Sequence, residues 1–498
     1  MTSQPKDKVL IIYTGGTIGS LHKDLDDPMS PITPAPLEQV MNKLPSFDPV
    51  EMRISIEGKS VKLGTFSIQK PVDSSDLQVE NWVEIAHVIL DNYDDYDGFV
   101  VLHGTDIMAY TASALAFMFM NLGKPVVLTG SQRPIAQTRT DAIQNVITAI
   151  ELAAARTLGH PLIPEVCVFF QNEIYRGCRT TKIDAGGFKA FDTPNYPPLG
   201  SVGVKVKISK SVLRSVPTRK INLRDNLQQN VASIVIFPGM SVNLLRSMLA
   251  VEGLKGVVLL TYGSGNMPSH LKFLETIYEA AQRGVIVIDV TQCKSGEVEL
   301  GLYETSEKLL SQGVISGVDM TPEAALTKLM VILGSEDEKE VQEDLLQINL
   351  RGEQRHSLFY LHFPKGRIAE SPGTLTLDQN RPMTFGVERY NPDALEVAFL
   401  RLTGLRISGK IESGKIELAF YIDLPENSEI KSSDNPNFLC SFSKSWSQET
   451  GWESVLIPVT EKIKPFVDNK HKNTLMVVNM GTTVVRWEQL DLVFYVDC

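Results

Sequence analysis

The sequence predicts an α/β protein. It has two α/β domains, the first a larger doubly wound sheet and the second a smaller parallel sheet, followed by an all-β, sandwich-like C-terminal domain. Three observations lead there. Short β-branched apolar runs recur through the first two thirds, each ending in a Gly- or Thr-containing turn and followed by a helical pattern. The runs are continuous rather than alternating, as in strands buried on both faces of a parallel sheet. After residue 355 the pattern changes to period-2 alternation with Gly and Asn-Pro breaks, the mark of antiparallel strands.

The strand candidates are residues 9–13, 98–102, 126–129, 166–170, 233–237, 257–261 and 285–290. Residues 107–122 form the longest uncharged apolar stretch. It is shorter than the roughly 18 residues that suggest a membrane span, so it reads as a buried helix. Residues 141–156 carry Ala142, Val146, Ile150 and Ala153 at helical spacing. Ser241 and Gly253 bracket a helix over 242–252; Ser269 and Gly284 do the same for 271–283, with a hydroxyl N-cap and a glycine beyond the C-terminus. The polar, basic stretch 205–230 lacks a strong period and reads as a linker with an edge strand. The expected domains are 1–210 and 231–355, joined by a linker at 211–230. A second linker, 356–383, leads to the β-rich extension 384–498. There Ile416, Leu418, Phe420 and Ile422 face one way and Glu417, Ala419, Tyr421 and Asp423 the other, a pattern repeated by Leu490, Leu492, Phe494 and Val496. Of the tryptophans in this part, Trp446, Trp452 and Trp487, most are expected in its core.

Composition narrows the function. At 498 residues about three domains are expected, and 43 % hydrophobic with 21 % charged residues describes a folded chain rather than a disordered one. The net charge of -11 repels phosphate backbones and anionic membranes, which excludes nucleic acid and membrane partners. The five cysteines are odd in number, scattered and without a Cys-x-x-Cys pair. That fits reduced thiols in the cytoplasm rather than a disulfide framework or zinc site. The apolar run near the N-terminus is too short for a signal-peptide core.

In a doubly wound sheet, ligands bind beyond the carboxyl ends of the strands. Thr14-Gly15-Gly16-Thr17 follows the first strand candidate, His103-Gly104-Thr105-Asp106 the second and Gly130-Ser131-Gln132-Arg133-Pro134 the third. Hydroxyls, a carboxylate and free backbone N–H groups therefore converge, suited to holding an amino acid and an oxyanion. Taken singly each turn is ordinary. Gly-Gly-Thr is a common strand-to-helix connection, and Thr105 and Asp106 are both good helix caps. The first turn lacks the lysine of a phosphate-binding loop and the full dinucleotide fingerprint.

Taken together, TGGTIG at 14–19 and HGTDIMAYTASAL at 103–115 resemble the two signature motifs of the bacterial-type L-asparaginases. DSSD at 73–76, GKPVVLTGSQRP at 123–134, YRGCRTTK at 175–182, YGSGN at 262–266 and TQCKSG at 291–296 look like the cytoplasmic, type I branch. The resemblance covers about residues 8–354 and leaves the C-terminal extension aside. It implies hydrolysis of L-asparagine to L-aspartate and ammonia, with Thr17 as nucleophile and Thr105, Asp106 and Lys182 as a second catalytic group. Asp73, Ser74 and Ser75, with Thr105 and Asp106, would bind the substrate. A lysine serves as base only if burial or positive neighbours lower its pKa, and Arg176 and Arg179 are near in sequence. His103 is expected to support its turn. No metal or cofactor is implied. Family members assemble as homodimers or homotetramers, and Asn266 resembles the residue that reaches a neighbour's site.

Three positions depart from the family. The loop SLHKDLDDPMSPITPAP after Thr17 lacks the family's tyrosine. Ile107 follows Asp106 where a threonine is usual. Leu260 stands where type I enzymes carry an allosteric arginine, although Thr181 and Cys293 match other parts of that site; hyperbolic kinetics are expected. L-glutamine is an alternative substrate. Two other readings remain: an ammonia-releasing subunit of a tRNA-dependent amidotransferase, and a weakly active amino-acid-binding or scaffold protein.

Overall fold

The computed structural model describes residues 7–22, 30, 32–268, 271–300, 309, 313–336 and 338–363, and beyond these the strands of the C-terminal part and Val459. The chain divides into one compact unit comprising residues up to 346 with 350–354, and a second comprising 347–349 and 355–498.

The first unit begins with β1 (Lys8–Gly15), buried along its length apart from its first residue. β2 (Lys59–Val72), α1 (Val79–Asp91), β3 (Gly98–Leu102), α2 (Met108–Met118), β4 (Val126–Thr129), α3 (Ala142–Ala153), β5 (Val166–Phe170) and β6 (Glu173–Arg176) follow. β1 pairs in parallel with β2 on one side and β3 on the other; β3, β4 and β5 continue the parallel run. Strand order thus switches at β1, and the turns after β2, β1 and β3 lie side by side at one edge of the sheet. The smaller sheet of the same unit is parallel throughout. It comprises β9 (Val231–Val235), β10 (Gly256–Thr261), β11 (Ile286–Thr291) and β12 (Ile315–Ser316); β7 (Thr181–Lys182) and β8 (Phe191–Asp192) form a short antiparallel hairpin. Its helices include α4 (Val242–Leu249), α5 (Leu271–Gln282) and α6 (Pro322–Ser335).

Several elements differ from expectation. The apolar stretch 107–122 is helical only to Met118; Phe119 turns extended, and Phe119–Met120 pairs with Asn222–Leu223. A partner strand supplied from 100 residues away outweighs the local helix signal. Of the stretch read as a linker, Val206–Ile208 closes one edge of the large sheet and Asn222–Leu223 makes this pairing. The strand expected at 233–237 starts at Val231, because its register against β10 begins with Val231 opposite Gly256. The α4 helix is capped by Ser241, whose Oγ accepts the Leu244 N–H, but ends at Leu249. The expected cap Ser269 lies outside the described residues. β2 has no counterpart among the strand candidates, although Val61 and Leu63 are buried between exposed polar neighbours.

α2 is buried on nearly every side and packs against α6 of the smaller sheet. An apolar helix covered all round is the expected product of its uniform sequence. α6 is anchored by Lys328, fully buried, whose Nζ lies 2.7 Å from the buried Glu353 carboxylate and donates to the Leu346 carbonyl. The pair holds Glu353 below the usual carboxylate range against its burial. Lys328→Met leaves that carboxylate without its cation, so urea denaturation should show a loss of about 3–5 kcal/mol. An unchanged midpoint would refute it.

The second unit contains two antiparallel sheets. One joins His356–Phe363, Gln489–Asp497, Leu395–Ile407, Val485–Trp487 and Gly366–Ile368, with Glu453–Pro458 also on Leu395–Ile407; the other joins Gly373–Asp378, Thr474–Asn479, Ser413–Ile422 and Phe438–Ser447. Residues 356–383, expected as a linker, therefore contribute three strands. Leu418, Ala419, Phe420 and Tyr421 are all buried, so members of both alternating sets are covered there. The surroundings of Trp446, Trp452 and Trp487 lie outside the described residues.

Candidate active site

Three turns are locked together by glycines. Gly15 and Gly16 have φ of 106° and 82°, backbone that side chains disfavour. A Cβ on Gly15 would lie 2.3 Å from the Val72 carbonyl oxygen, and one on Gly16 would lie 2.4 Å from the Gly104 Cα. A Cβ on Gly104 would meet the Ser74 Oγ at 2.5 Å. Hydrogen bonds complete the stack. The Gly16 N–H donates to the Val72 carbonyl at 3.0 Å, the Thr14 Oγ1 to the Leu102 carbonyl at 3.0 Å, and the Asp106 N–H to the Ser74 Oγ at 3.3 Å. Thr17, Asp73–Ser75 and Thr105–Asp106 are thereby carried on backbone in van der Waals contact.

Lys182 arrives from far along the chain, on β7 (Thr181–Lys182), which pairs with β8 (Phe191–Asp192). Its Nζ donates to the Thr105 Oγ1 at 2.9 Å and to the Asp106 Oδ1 at 2.6 Å. The Lys182 side chain is mostly covered, whereas the Asp106 side chain is 60 % exposed. An amine touching a hydroxyl can move that hydroxyl's proton, and an open carboxylate can receive an ammonium group of a ligand. Thr105 also lies 3.5 Å from Gln132, whose Nε2 donates to the Gly187 carbonyl. The Gln132 N–H is in turn held by Asp141. Gln132 and Asp141 were not among the expected site residues; only the position of Gln132 directly after a strand end pointed to it.

The remaining expected residues separate. Asp73 and Ser75 are exposed, with Asp73 accepting the Ser75 N–H and hydroxyl. Ser74 is buried and its oxygen is engaged by Asp106, so it holds the turn. Arg176 and Arg179 are each engaged by a carboxylate. Arg176 is paired with the buried Glu165 at 2.6 Å, and Arg179 with Asp319 at 2.7 Å, because buried guanidinium groups need carboxylate partners. Tyr13, the tyrosine nearest Thr17 in sequence, is buried with its hydroxyl donating to the Ala35 carbonyl. Residues 23–29 and 31 of the loop after Thr17 lie outside the described residues. Asn266 sits in a tight turn of the smaller sheet, bridged to Tyr262.

His103 supports its turn as expected. The Trp82 Nε1–H donates to the Thr111 Oγ1 at 2.9 Å; the Thr111 hydroxyl therefore donates to the His103 Nε2 at 3.0 Å, and the Nδ1–H goes to the Gly104 carbonyl at 2.6 Å. This chain assigns the neutral imidazole, and burial lowers its pKa from 6.5 to about 4. A depressed base stabilises the fold above its unfolded pKa and loses that contribution as pH falls towards its folded one. Between pH 6.5 and 4, wild type should lose about 3 kcal/mol more stability than His103→Gln. Parallel denaturation curves for the two proteins would refute this.

Among the described residues, Glu57, Glu151 and His160 bring ligand atoms within 4.8 Å of one another. The sequence spacing did not show this group. It lies at the amino ends of the strands, opposite the threonine turns, and His160 is already paired with Glu151 at 2.9 Å.

A switching parallel sheet that gathers two threonine turns, a carboxylate and a lysine at its strand ends defines the class: an α/β protein with a hydroxyl-and-lysine site of the amidohydrolase kind. The chain belongs to the asparaginase family. Residues 8–214 match the family model for the asparaginase N-terminal domain, and residues 230–346 that for the glutaminase/asparaginase C-terminal domain. It is 41 % identical to L-asparaginase 1 of Escherichia coli over 348 residues, 70 % of this chain and 98 % of that one. It is 37 % identical to the human 60 kDa lysophospholipase over 70 % of this chain and 62 % of that protein. L-asparaginase I of Vibrio cholerae superposes with a TM-score of 0.61 at 39 % identity, covering 71 % of this chain and 99 % of that structure.

Proposed function

We propose that this chain hydrolyses L-asparagine to L-aspartate and ammonia through an acyl-enzyme on Thr17. The Thr17 oxygen attacks the side-chain amide carbon as its proton passes to the Thr105–Lys182–Asp106 group, and the C–N bond breaks as that group hands a proton to the departing nitrogen, which leaves as ammonia. Water then cleaves the ester. Asp73 and Asp106 receive the α-ammonium group, and the hydroxyls of Ser74 and Ser75 with nearby backbone N–H groups receive the α-carboxylate. The observation that carries this reading is the bonding of Lys182 to both Thr105 and Asp106, which gives a proton route beside the Thr17 turn.

The test is ammonia release from asparagine and from glutamine over a concentration range by purified wild type, Thr17→Ala and Thr105→Val. Saturable, hyperbolic turnover of asparagine by wild type, lost in both variants, is expected. Full activity in both variants, or none in wild type, would overturn it. Asparagine binding by calorimetry without turnover would favour the binding-protein reading. Lysophosphatidylcholine belongs in the same assay because of the human relative's name.

The proposal extends to assembly as a homodimer or homotetramer, with Asn266 reaching a neighbour's site. Val235, Phe237, Leu244, Met248 and Val251 are exposed on and around β9 and α4, the kind of apolar surface that a partner subunit would cover. It places the protein in the cytoplasm, consistent with the free thiols of Cys167, Cys178 and Cys293. Among the described residues, no helix is long and apolar enough to cross a membrane.

A further inference from the structure

We infer that Glu323, acting through Thr181, is a positioning residue for Lys182, so that the smaller α/β domain sets the geometry of a site built on the larger one. This rests on the proposed catalytic use of Lys182.

Lys182 lies at the end of a hairpin that does little to hold itself. β7 and β8 pair over two residues only, Thr181 with Asp192 and Lys182 with Phe191, and a ladder that short is weak in isolation. The hairpin is gripped instead from the smaller domain, on both arms. On the first arm, Arg179 forms a buried ion pair with Asp319 and donates to the Gly352 carbonyl at 2.7 Å. On the second, Asn195 donates to the carbonyls of Gly296 and Asp319 and accepts the Gly296 N–H. Closest to Lys182, the Thr181 Oγ1 donates to the Glu323 Oε1 at 2.7 Å.

Glu323 is well placed for this. It is the second residue of α6, whose first turn is fixed by the Thr321 side chain accepting the Ala324 N–H. Its side chain is buried, and burial raises its carboxyl above the ordinary value while the Thr181 hydrogen bond opposes the rise. A buried carboxylate is retained at a cost in desolvation, and a bond to the residue beside Lys182 gives it a use. Lys182 must reach Thr105 and Asp106 together, and misplacing a reacting group by about 1 Å costs on the order of 100-fold in rate.

The experiment compares wild type with Thr181→Val, Thr181→Ser, Glu323→Ala and Glu323→Gln, with folding checked by circular dichroism. Thr181→Val and Glu323→Ala should lower kcat about 10- to 100-fold with KM little changed. Thr181→Ser and Glu323→Gln keep a hydroxyl donor and a carbonyl acceptor and should restore most of the loss. In parallel, NMR of ε-13C-labelled lysine, with the Lys182 signal assigned by Lys182→Met, should show that signal shifted in Thr181→Val and Glu323→Ala but not in the conservative pair. Wild-type kcat and an unmoved Lys182 signal in Thr181→Val would overturn the inference. If wild type fails to turn over asparagine, the proposed function falls, and the NMR arm alone decides the positioning.

Discussion

Lys182→Met is expected to reduce asparagine turnover by about 1,000-fold, within the range of a general acid–base group. Methionine keeps most of the length and the apolar stem but removes the three donors. The bonds at 2.9 Å to Thr105 and 2.6 Å to Asp106 are both lost, leaving the Thr105 hydroxyl with no proton-transfer partner and Asp106 with no cation. The loss should appear in kcat. Because Asp106 is open to solvent, it should still bind an ammonium group, and KM should move little. Residues that act as a unit lose activity non-additively. Lys182→Met combined with Thr17→Ala should therefore be scarcely worse than Thr17→Ala alone. Steady-state kinetics on the two single variants and the double variant decides it: a Lys182→Met enzyme within a few-fold of wild type would remove the lysine from the mechanism, and strictly multiplicative losses would separate it from Thr17.

The second large effect belongs to a residue with no side chain. Gly16→Ala should lower stability by about 2–5 kcal/mol, combining overpacking with the strain of a backbone conformation, φ 82° and ψ 177°, that only glycine adopts readily, and should reduce turnover further than stability alone explains. The new methyl would lie 2.4 Å from both the Cα and the N of Gly104. Neither is a flexible side-chain end, so the Thr17 turn and the Thr105 turn must move apart. Gly58 is the internal control. Its φ of 76° is also positive, but a Cβ there meets nothing within 4 Å. Gly58→Ala should cost only the conformational strain, about 1 kcal/mol, with turnover retained. Urea denaturation and kcat measured on both variants separate the backbone effect from the contact; equal effects at the two positions would refute the argument.

Much of the site was legible because its parts follow apolar strands directly. Thr17, Thr105 and Asp106 could be placed from the runs that precede them. Gln132 stood in a third such turn, but its contact with Thr105 depends on a side-chain path that no spacing encodes. Ser74 shows the opposite limit. Its motif pointed to ligand binding, but nothing in it showed that the same oxygen also accepts the Asp106 N–H and ties two turns together. Arg176 and Arg179 are near Lys182 in sequence, but each is paired in space with a buried carboxylate. β2 was overlooked because its alternating pattern differs from the continuous runs of its neighbours, as befits a strand with one face partly open to water.

By itself the sequence determined the α/β class, the strand–turn units and the family, since apolar period, turn glycines and motif order are local properties of the chain. Tertiary structure alone decided where the apolar stretch after Ile107 stops being helical, because the partner strand at Asn222–Leu223 lies far along the chain. It decided too that His356–Phe363, Gly366–Ile368 and Gly373–Asp378, within the stretch expected as a linker, are strands. Most of all, it brought Lys182 to Thr105 and set Glu323 behind it, contacts spanning 77 and 142 residues respectively. Such contacts arise from the packing of whole elements, and a local pattern carries no record of them.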